Sequence, residues 1–502
     1  MSPGTQGARL IVVSNRLPIV IEQDDGQWVC RPGSGGLVTA MAPVLKNRGG
    51  QWIGWPGITT EHDVDHESIL DAATENAGYS LKPVLLTEEE KNKFYFGFSN
   101  EIIWPLFHDL QTNCNFDPSY WKIYETVNKK FSDVIAKNYE QGDFIWVHDY
   151  HLINVAGQLR EKGIDSKIGF FLHIPFPSLD IFLKLPWRFK ILQAFLEYDL
   201  IGFQTLRDRR NFLQCIRTLK THFFIRGKGK VIKLLSDKRE IRVGAFPIGI
   251  DFDEFSKGAA TPEVSLKALS LHKNLLNSTL ILGVDRLDYT KGIPNKLLAF
   301  QNALERYPEL INKITLIQVV VPSRENIPQY FTLKTEIEQL VGEINGKYTD
   351  SGWVPIHYIF RNLSRLELLS YYKTSEIALV TPLKDGMNLV AMEYCAASPE
   401  GNCTLILSEF AGAAAQLQKG ALLVNPYDIE GMANAIYQAF IMPENERTKR
   451  MKKLNRLIKS KNIFHWVDSF LGAVIEKELE SFPKISQHYP DESEMEYIPE
   501  HP

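Results

Sequence analysis

Three cationic stations stand where an α/β chain delivers loops: Ser14-Asn15-Arg16, Asp285-Arg286-Leu287-Asp288-Tyr289-Thr290-Lys291-Gly292, and Pro322-Ser323-Arg324-Glu325. Each follows a short apolar run, at residues 10–13, 280–284 and 315–321. Ligands of open parallel sheets collect beyond the carboxyl ends of such strands. Guanidinium and ammonium groups there bind phosphate oxygens through charge-assisted hydrogen bonds. The pattern predicts phosphorylated ligands and more than one phosphate group. The competing reading, solvated loop charge, weakens because all three stations fall at strand ends.

Arg286 and Lys291 lie five residues apart, and Gly292 begins a predicted helix to about residue 307. Two cations and the positive end of a helix dipole suit a diphosphate. Asp385-Gly386-Met387-Asn388-Leu389-Val390-Ala391-Met392-Glu393 reads as a second helix opening, with amides for sugar hydroxyls or phosphate and Glu393 able to take both hydroxyls of a ribose. Asp385 reads equally as a plain N-terminal cap. Gly33-Ser34-Gly35-Gly36 enters a predicted helix over 37–46 and offers close backbone approach. It is not a dinucleotide fingerprint, because position 38 is Val and no suitably spaced acid follows, and no P-loop occurs anywhere. Asp149 and His173 sit at the ends of two successive apolar runs and suit sugar hydroxyls. His148-x-x-His151 lacks an evident third metal ligand and reads as structural. Tyr95 and Trp104 offer a phosphate hydrogen bond and a stacking face, or simply aromatic packing.

Strand-like runs over 144–147, 167–172, 200–203 and 241–246 alternate with helix-period segments over 118–138, 152–162 and 206–220. A hairpin is predicted over 18–31, turning at Asp25-Gly26. The pattern pauses at Phe246-Pro247-Ile248-Gly249, then resumes with strands over 279–284, 314–321, 355–360, 377–380, 404–408 and 421–424. Helices over 444–459 and 464–480 follow, and the polar 485–502 segment is expected to be disordered. The expectation is α/β: two doubly wound Rossmann-like domains, 9–247 and 248–460, facing a deep cleft.

With 44% hydrophobic residues in 502, the chain has material for two full cores. Its net charge of -4 provides no global field for nucleic acid or a membrane surface. No run approaches the length needed to cross a bilayer and no secretory leader is evident, so a cytoplasmic location is expected. The five cysteines have no C-x-x-C spacing and are too sparse for a disulfide framework. The three Asn-x-Ser/Thr sequons, at Asn277, Asn362 and Asn402, read as chance.

Taken together, Ser14-Asn15-Arg16-Leu17-Pro18, His148-Asp149-Tyr150-His151-Leu152, His173-Ile174-Pro175-Phe176-Pro177, Asp285 to Gly292 and Asp385 to Glu393 resemble the trehalose-6-phosphate synthases, retaining glycosyltransferases of GT-B architecture. The likeness runs in order over roughly residues 9–480. It implies transfer of glucose from UDP-glucose to glucose 6-phosphate. By matched position it implies that Arg16, Tyr95, Trp104, Asp149 and Arg324 hold glucose 6-phosphate, with Arg324 reaching from the other domain. Arg286 and Lys291 would bind the UDP diphosphate, Glu393 the ribose, and the Leu363 backbone the uracil. Gly35, Gly36, His173, Asp385, Gly386, Met387, Asn388, Leu389 and Val390 would meet the donor sugar and phosphates. Asp149, His173, Arg286, Lys291 and Asp385 become the candidate catalytic set. A last helix over 461–481 would cross back to the first domain.

No Asp-x-Asp metal motif stands at a strand end near the cations, so neither metal nor cofactor is expected. A silent sugar-phosphate-binding subunit of a larger synthase complex is the competing class, and a homo-oligomer or such a complex is compatible with the chain. Asp251-Phe252-Asp253 superficially suggests a phosphatase, but it lies at the domain junction with no length left for a further domain.

Overall fold

A computed structural model describes residues 9–24, 27–33, 36–62, 64–236, 239–275, 278–324, 327–350, 352–398, 401–475 and His488. It divides into two compact units, Met1–Pro247 with Trp466–Ile485, and Ile248–His465 with Ser486–Pro502. Among the described residues no helix is long and apolar enough to cross a membrane.

The first unit carries β1 (Leu10–Arg16), the hairpin β2 (Ile19–Asp24) and β3 (Gln27–Pro32), then β4 (Gly50–Trp55), β5 (Ser80–Pro83), β6 (Phe144–His148), β7 (Ile168–Leu172), β8 (Leu200–Phe203), β9 (Phe224–Arg226), β10 (Val231–Leu235) and β11 (Glu240–Ala245). Nine of them form one sheet in the order β5-β4-β1-β6-β7-β8-β11-β10-β9. The chain winds outward from β1 to β5, then returns to place β6 on β1's other side. The gap between the ends of β1 and β6 is therefore a topological switch point, where open α/β sheets bind ligands. β1, β6, β7 and β8 are almost wholly buried, as their unbroken apolar runs require. The hairpin forms as expected in its strands, while its Asp25-Gly26 turn lies outside the described residues.

The second unit carries β12 (Thr279–Arg286), β13 (Ile314–Val321), β14 (Ile356–Phe360), β15 (Ile377–Val380), β16 (Thr404–Ser408) and β17 (Leu422–Val424). They form an all-parallel sheet, β14-β13-β12-β15-β16-β17. This is the Rossmann order, with its switch point between β12 and β15.

The helix Pro118–Asn138 has the predicted bounds, with Asp117 as its cap and Pro118 at its first position. Residues 91–103 form a π-helix. The helix predicted from residue 152 begins at Val155, after a 3₁₀ turn over Tyr150–Leu152. The final helix, Ile463–Ile475, lies largely in the first unit, where Phe470 stacks on Trp146 at 4.3 Å. Of the segment expected to be disordered, only His488 is described, its side chain 7% exposed with Nε2 3.6 Å from the Glu409 carboxylate.

Candidate active site

In the first unit, the Ser14 hydroxyl accepts from the Trp52 indole at 2.8 Å and donates to the Arg16 carbonyl at 2.7 Å, which sets the end of β1. Arg16 pairs in register with Trp55, and its guanidinium lies 3.8 Å from that ring's centroid and 5.7 Å from Tyr95's. No carboxylate pairs with it among the described residues. Burial pulls the guanidinium below its ordinary value, with the Tyr95 hydroxyl acting the other way. A cation desolvated on aromatic faces gains more from an incoming anion than one in water. Tyr95 comes from the π-helix, an uncommon geometry associated with functional positions, and stacks on His151 at 5.8 Å. Trp104 is only 6% exposed and packs on His108 and Tyr150.

At the end of β6, Asp149 adopts φ 74°, a left-handed conformation costly for a residue other than glycine. Its carboxylate accepts from the Tyr150 amide at 3.0 Å and the His173 amide at 3.3 Å, so one side chain ties the β6 and β7 ends together. His148 Nδ1 lies 3.2 Å from His173 Nε2. Burial drives the His173 imidazole down to about 3. His148 is held well below its ordinary value by burial and then by His173. Both rings are neutral at physiological pH.

In the second unit, β12 ends on exposed Arg286. The chain turns through Tyr289–Lys291 into the helix Ile293–Arg306, with Gly292 at φ 62° as its N-cap. A Cβ on Gly292 would crowd the Thr381 carbonyl at 2.9 Å. The Leu383 amide donates to the Thr290 carbonyl, joining this turn to the loop after β15. Across that seam Lys291 Nζ meets Asp385 Oδ2 at 2.6 Å. Asp385 also accepts from Asn388 Nδ2 at 3.2 Å. It is therefore not the helix cap. Asn388 caps Leu389–Ala396 from φ 80°, accepting from the Ala391 amide, so the helix begins four residues later than predicted. Gly386, Met387 and Asn388 form the loop before it, and Leu389 and Val390 its first turn. A Cβ on Gly412 would collide with the Gly386 carbonyl, a dependence invisible in the local motif.

Asp288, to which the motif alone assigned no role, is the centre of this station. It is 1% exposed and accepts from the Thr290 amide and hydroxyl at 3.0 and 2.8 Å. Burial pushes its carboxyl up, but the fields of Arg324, Arg286 and Lys291 prevail and hold it below the ordinary value. The fields of all three predicted cations thus reach one carboxylate. Arg324 Nη1 lies 3.5 Å from Asp288 and donates to the Tyr330 hydroxyl at 2.8 Å, from a backbone at φ 50°. Because its native value is depressed, ionised Asp288 contributes stability in full above its unfolded value of 3.8, and loses it as pH falls through the lower native value. The urea midpoint of the native protein should exceed that of Asp288→Asn by a constant margin above pH 5, and the margin should shrink on acidification.

Glu393 accepts from the Tyr372 hydroxyl at 2.9 Å, and burial raises its carboxyl. Leu363 lies in the loop before the helix Arg365–Thr374, with neither its amide nor its carbonyl bonded within the described chain. Gly36 opens the helix Gly36–Arg48; Gly35 lies outside the described residues. Among these residues no three His, Cys, Asp or Glu side chains gather as a metal site would require.

The family model described as Glycosyltransferase family 20 matches residues 8–476. The α,α-trehalose-phosphate synthase [UDP-forming] A of Dictyostelium discoideum is 42% identical over 460 residues, 91% of this chain and 61% of that longer one. The α,α-trehalose-phosphate synthase (UDP-forming) of Burkholderia xenovorans, solved in complex with glucose-6-phosphate, superposes with a TM-score of 0.84 at 34% identity, covering 93% of this chain and 100% of that one. An E. coli structure bound with UDP-2-fluoro glucose gives 0.83 at 36% identity, covering 93% and 99%.

Proposed function

The chain belongs to glycosyltransferase family 20, and from that premise we propose that it transfers glucose from UDP-glucose to glucose 6-phosphate, releasing UDP and α,α-trehalose 6-phosphate with retention at the sugar carbon. The observation that carries this is the clustering of Arg286, Lys291 and Arg324 around the β12/β15 switch point, where Arg324 lies 3.5 Å from buried Asp288 and Lys291 2.6 Å from Asp385. A diphosphate is the small-molecule group that such a concentration of fixed positive charge suits best. An intact station on each unit favours catalysis over a silent regulatory subunit.

The second unit takes the nucleotide sugar. Arg286, Lys291 and the amides opening Ile293–Arg306 meet the diphosphate, Glu393 the ribose, and the free Leu363 backbone groups the uracil. Gly35, Gly36 and the 385–390 loop, Asp385 through Val390, meet the donor glucose, with His173 as a neutral hydrogen-bonding group. The first unit takes glucose 6-phosphate: Arg16 and Tyr95 bind its phosphate, Asp149 its hydroxyls, and Trp104 backs the ring. Arg324 assists by exchanging its contact with Tyr330 for the acceptor phosphate.

As the bond from the sugar to UDP breaks, negative charge grows on the diphosphate oxygens beside Arg286 and Lys291. These preorganised donors stabilise it without reorganisation. No carboxylate is assigned as nucleophile, so the acceptor hydroxyl attacks from the leaving group's own face and passes its proton to a departing phosphate oxygen. The cations take the place of a divalent ion, and activity should persist in chelator.

Incubating pure protein with UDP-glucose, with and without glucose 6-phosphate, tests the assignment: UDP and a phosphorylated non-reducing disaccharide should appear together only when both substrates are present. UDP release indifferent to glucose 6-phosphate would refute it. Arg16→Ala should raise the KM for glucose 6-phosphate about 10- to 100-fold by removing a charge-assisted bond, with the KM for UDP-glucose little changed. Initial-rate kinetics in both substrates separate the two.

A further inference from the structure

We propose that His148 is a positioning residue that fixes the tautomer of His173, donating its Nδ1–H to His173 Nε2 so that His173 presents an Nδ1–H donor to the donor sugar. This rests on the reading of His173 as a donor-sugar contact. The Nδ1 to Nε2 distance is 3.2 Å, and with both rings neutral the contact holds one proton: one ring donates and the other accepts. Two arrangements satisfy it, and the surroundings distinguish them.

His148 is 0% exposed, and its Nε2 has no hydrogen-bond partner among the described residues. The rings around it are Trp146 at 4.8 Å and Trp466 at 6.2 Å. Both indoles also have a buried Nε1 without an acceptor. An indole is a donor only. If His148 carried its proton on Nε2, three buried N–H groups would share one small region without a partner among the described residues, and buried N–H groups left without an acceptor are rare. A proton on Nδ1 instead leaves Nε2 as a lone pair, so that His148 adds no third unmatched donor to the two indoles.

The consequence reaches the site through geometry. The Asp149 carboxylate holds the His173 backbone amide at 3.3 Å, and His148 occupies His173 Nε2. The remaining ring nitrogen, Nδ1, has no partner within the described chain and carries the proton. His173 can then donate to a sugar hydroxyl but cannot accept from one through that atom. Trp466 brings the final helix into this device, since it lies 6.1 Å from His173 as well as beside His148. Sequence reading treated His148 only as half of a doubtful metal motif.

The test uses full-length protein with 15N-labelled histidine, the His173 and His148 signals being assigned by their loss in His173→Gln and His148→Asn. At pH 7.5 both should show a protonated Nδ1 and a bare Nε2. A bare Nδ1 on His173 overturns the proposal. Asparagine places an amide donor near the position of Nδ1, so His148→Asn should keep kcat within about threefold. His148→Leu removes the donor and should lower kcat about 10- to 100-fold, as misplacement of a reacting group does, with the KM for glucose 6-phosphate unchanged. Equal rates for His148→Leu and native enzyme would also overturn it. Should His148→Leu fail to fold, the native tautomer decides. If His173→Gln turns over normally while the tautomers stand, the role of His173 in transfer falls and the pairing with His148 survives.

Discussion

Lys291→Met is expected to lower kcat by about 10²–10³-fold, the loss typical of removing one preorganised donor from a developing negative charge. Lys291 faces the site from a rigid turn rather than a loose loop. Its ammonium is held 2.6 Å from Asp385, and its turn is tied to the loop after β15 through Leu383 and Thr290. Removing it also takes the ammonium away from Asp385, leaving that carboxylate without this counter-charge near an anionic substrate. The KM for UDP-glucose should therefore rise along with the fall in kcat, and Asp385→Asn added to Lys291→Met should recover part of the KM but none of the kcat. Lys291→Arg keeps the charge, but its planar fork does not reproduce a compact ammonium in this position, so it should remain well below native activity. Initial rates of UDP release over both substrates measure all four proteins. A kcat for Lys291→Met within threefold of native would remove the diphosphate clamp from the mechanism.

The largest expected effect on stability lies in the first turn or so of the helix that follows Lys291. Lys296 is 0% exposed and its ammonium meets Asp285 Oδ2 at 2.5 Å, with Gln318 Nε2 donating to the same oxygen at 3.0 Å. Asp285 immediately precedes Arg286, so this pair anchors the end of β12 from inside the fold. Lys296→Met should cost about 3–5 kcal/mol, because it leaves a buried carboxylate without its counter-charge. For a unit of this size that corresponds to a fall in Tm of roughly 6–20 °C. The double variant Asp285→Asn with Lys296→Met removes both charges and should recover most of the loss, since a buried pair contributes little net stability against neutral groups of similar volume. Scanning calorimetry and urea titration on the full chain read both proteins. Equal midpoints for Lys296→Met and native protein would mean that water reaches the pair, contrary to its burial.

Much of this architecture was legible locally. The strands over 314–321, 377–380 and 404–408 and the helix over 118–138 were found at their true bounds, because unbroken apolar runs, a capping Asp117 and a first-position proline are signals carried by neighbouring residues. The 385–393 segment was read as helix too early, because glycine and aspartate suggest an opening while the actual cap, Asn388, depends on a left-handed backbone that the Gly412 contact helps impose. The π-helix carrying Tyr95 has no distinctive local signal, since its hydrogen-bond register is set by what it packs against.

By itself the sequence determined that this chain is α/β, that its cations stand at strand ends and that it resembles one glycosyltransferase family, because periodicity, turn chemistry and motif spacing are properties of short stretches. It took the folded chain to bring Arg324 beside Asp288, to pair Lys291 with Asp385 from 94 residues away, and to set His148 against His173 beneath the final helix. Burial and counter-charge set those relationships, and both come from parts of the chain that meet only once the sheets have formed.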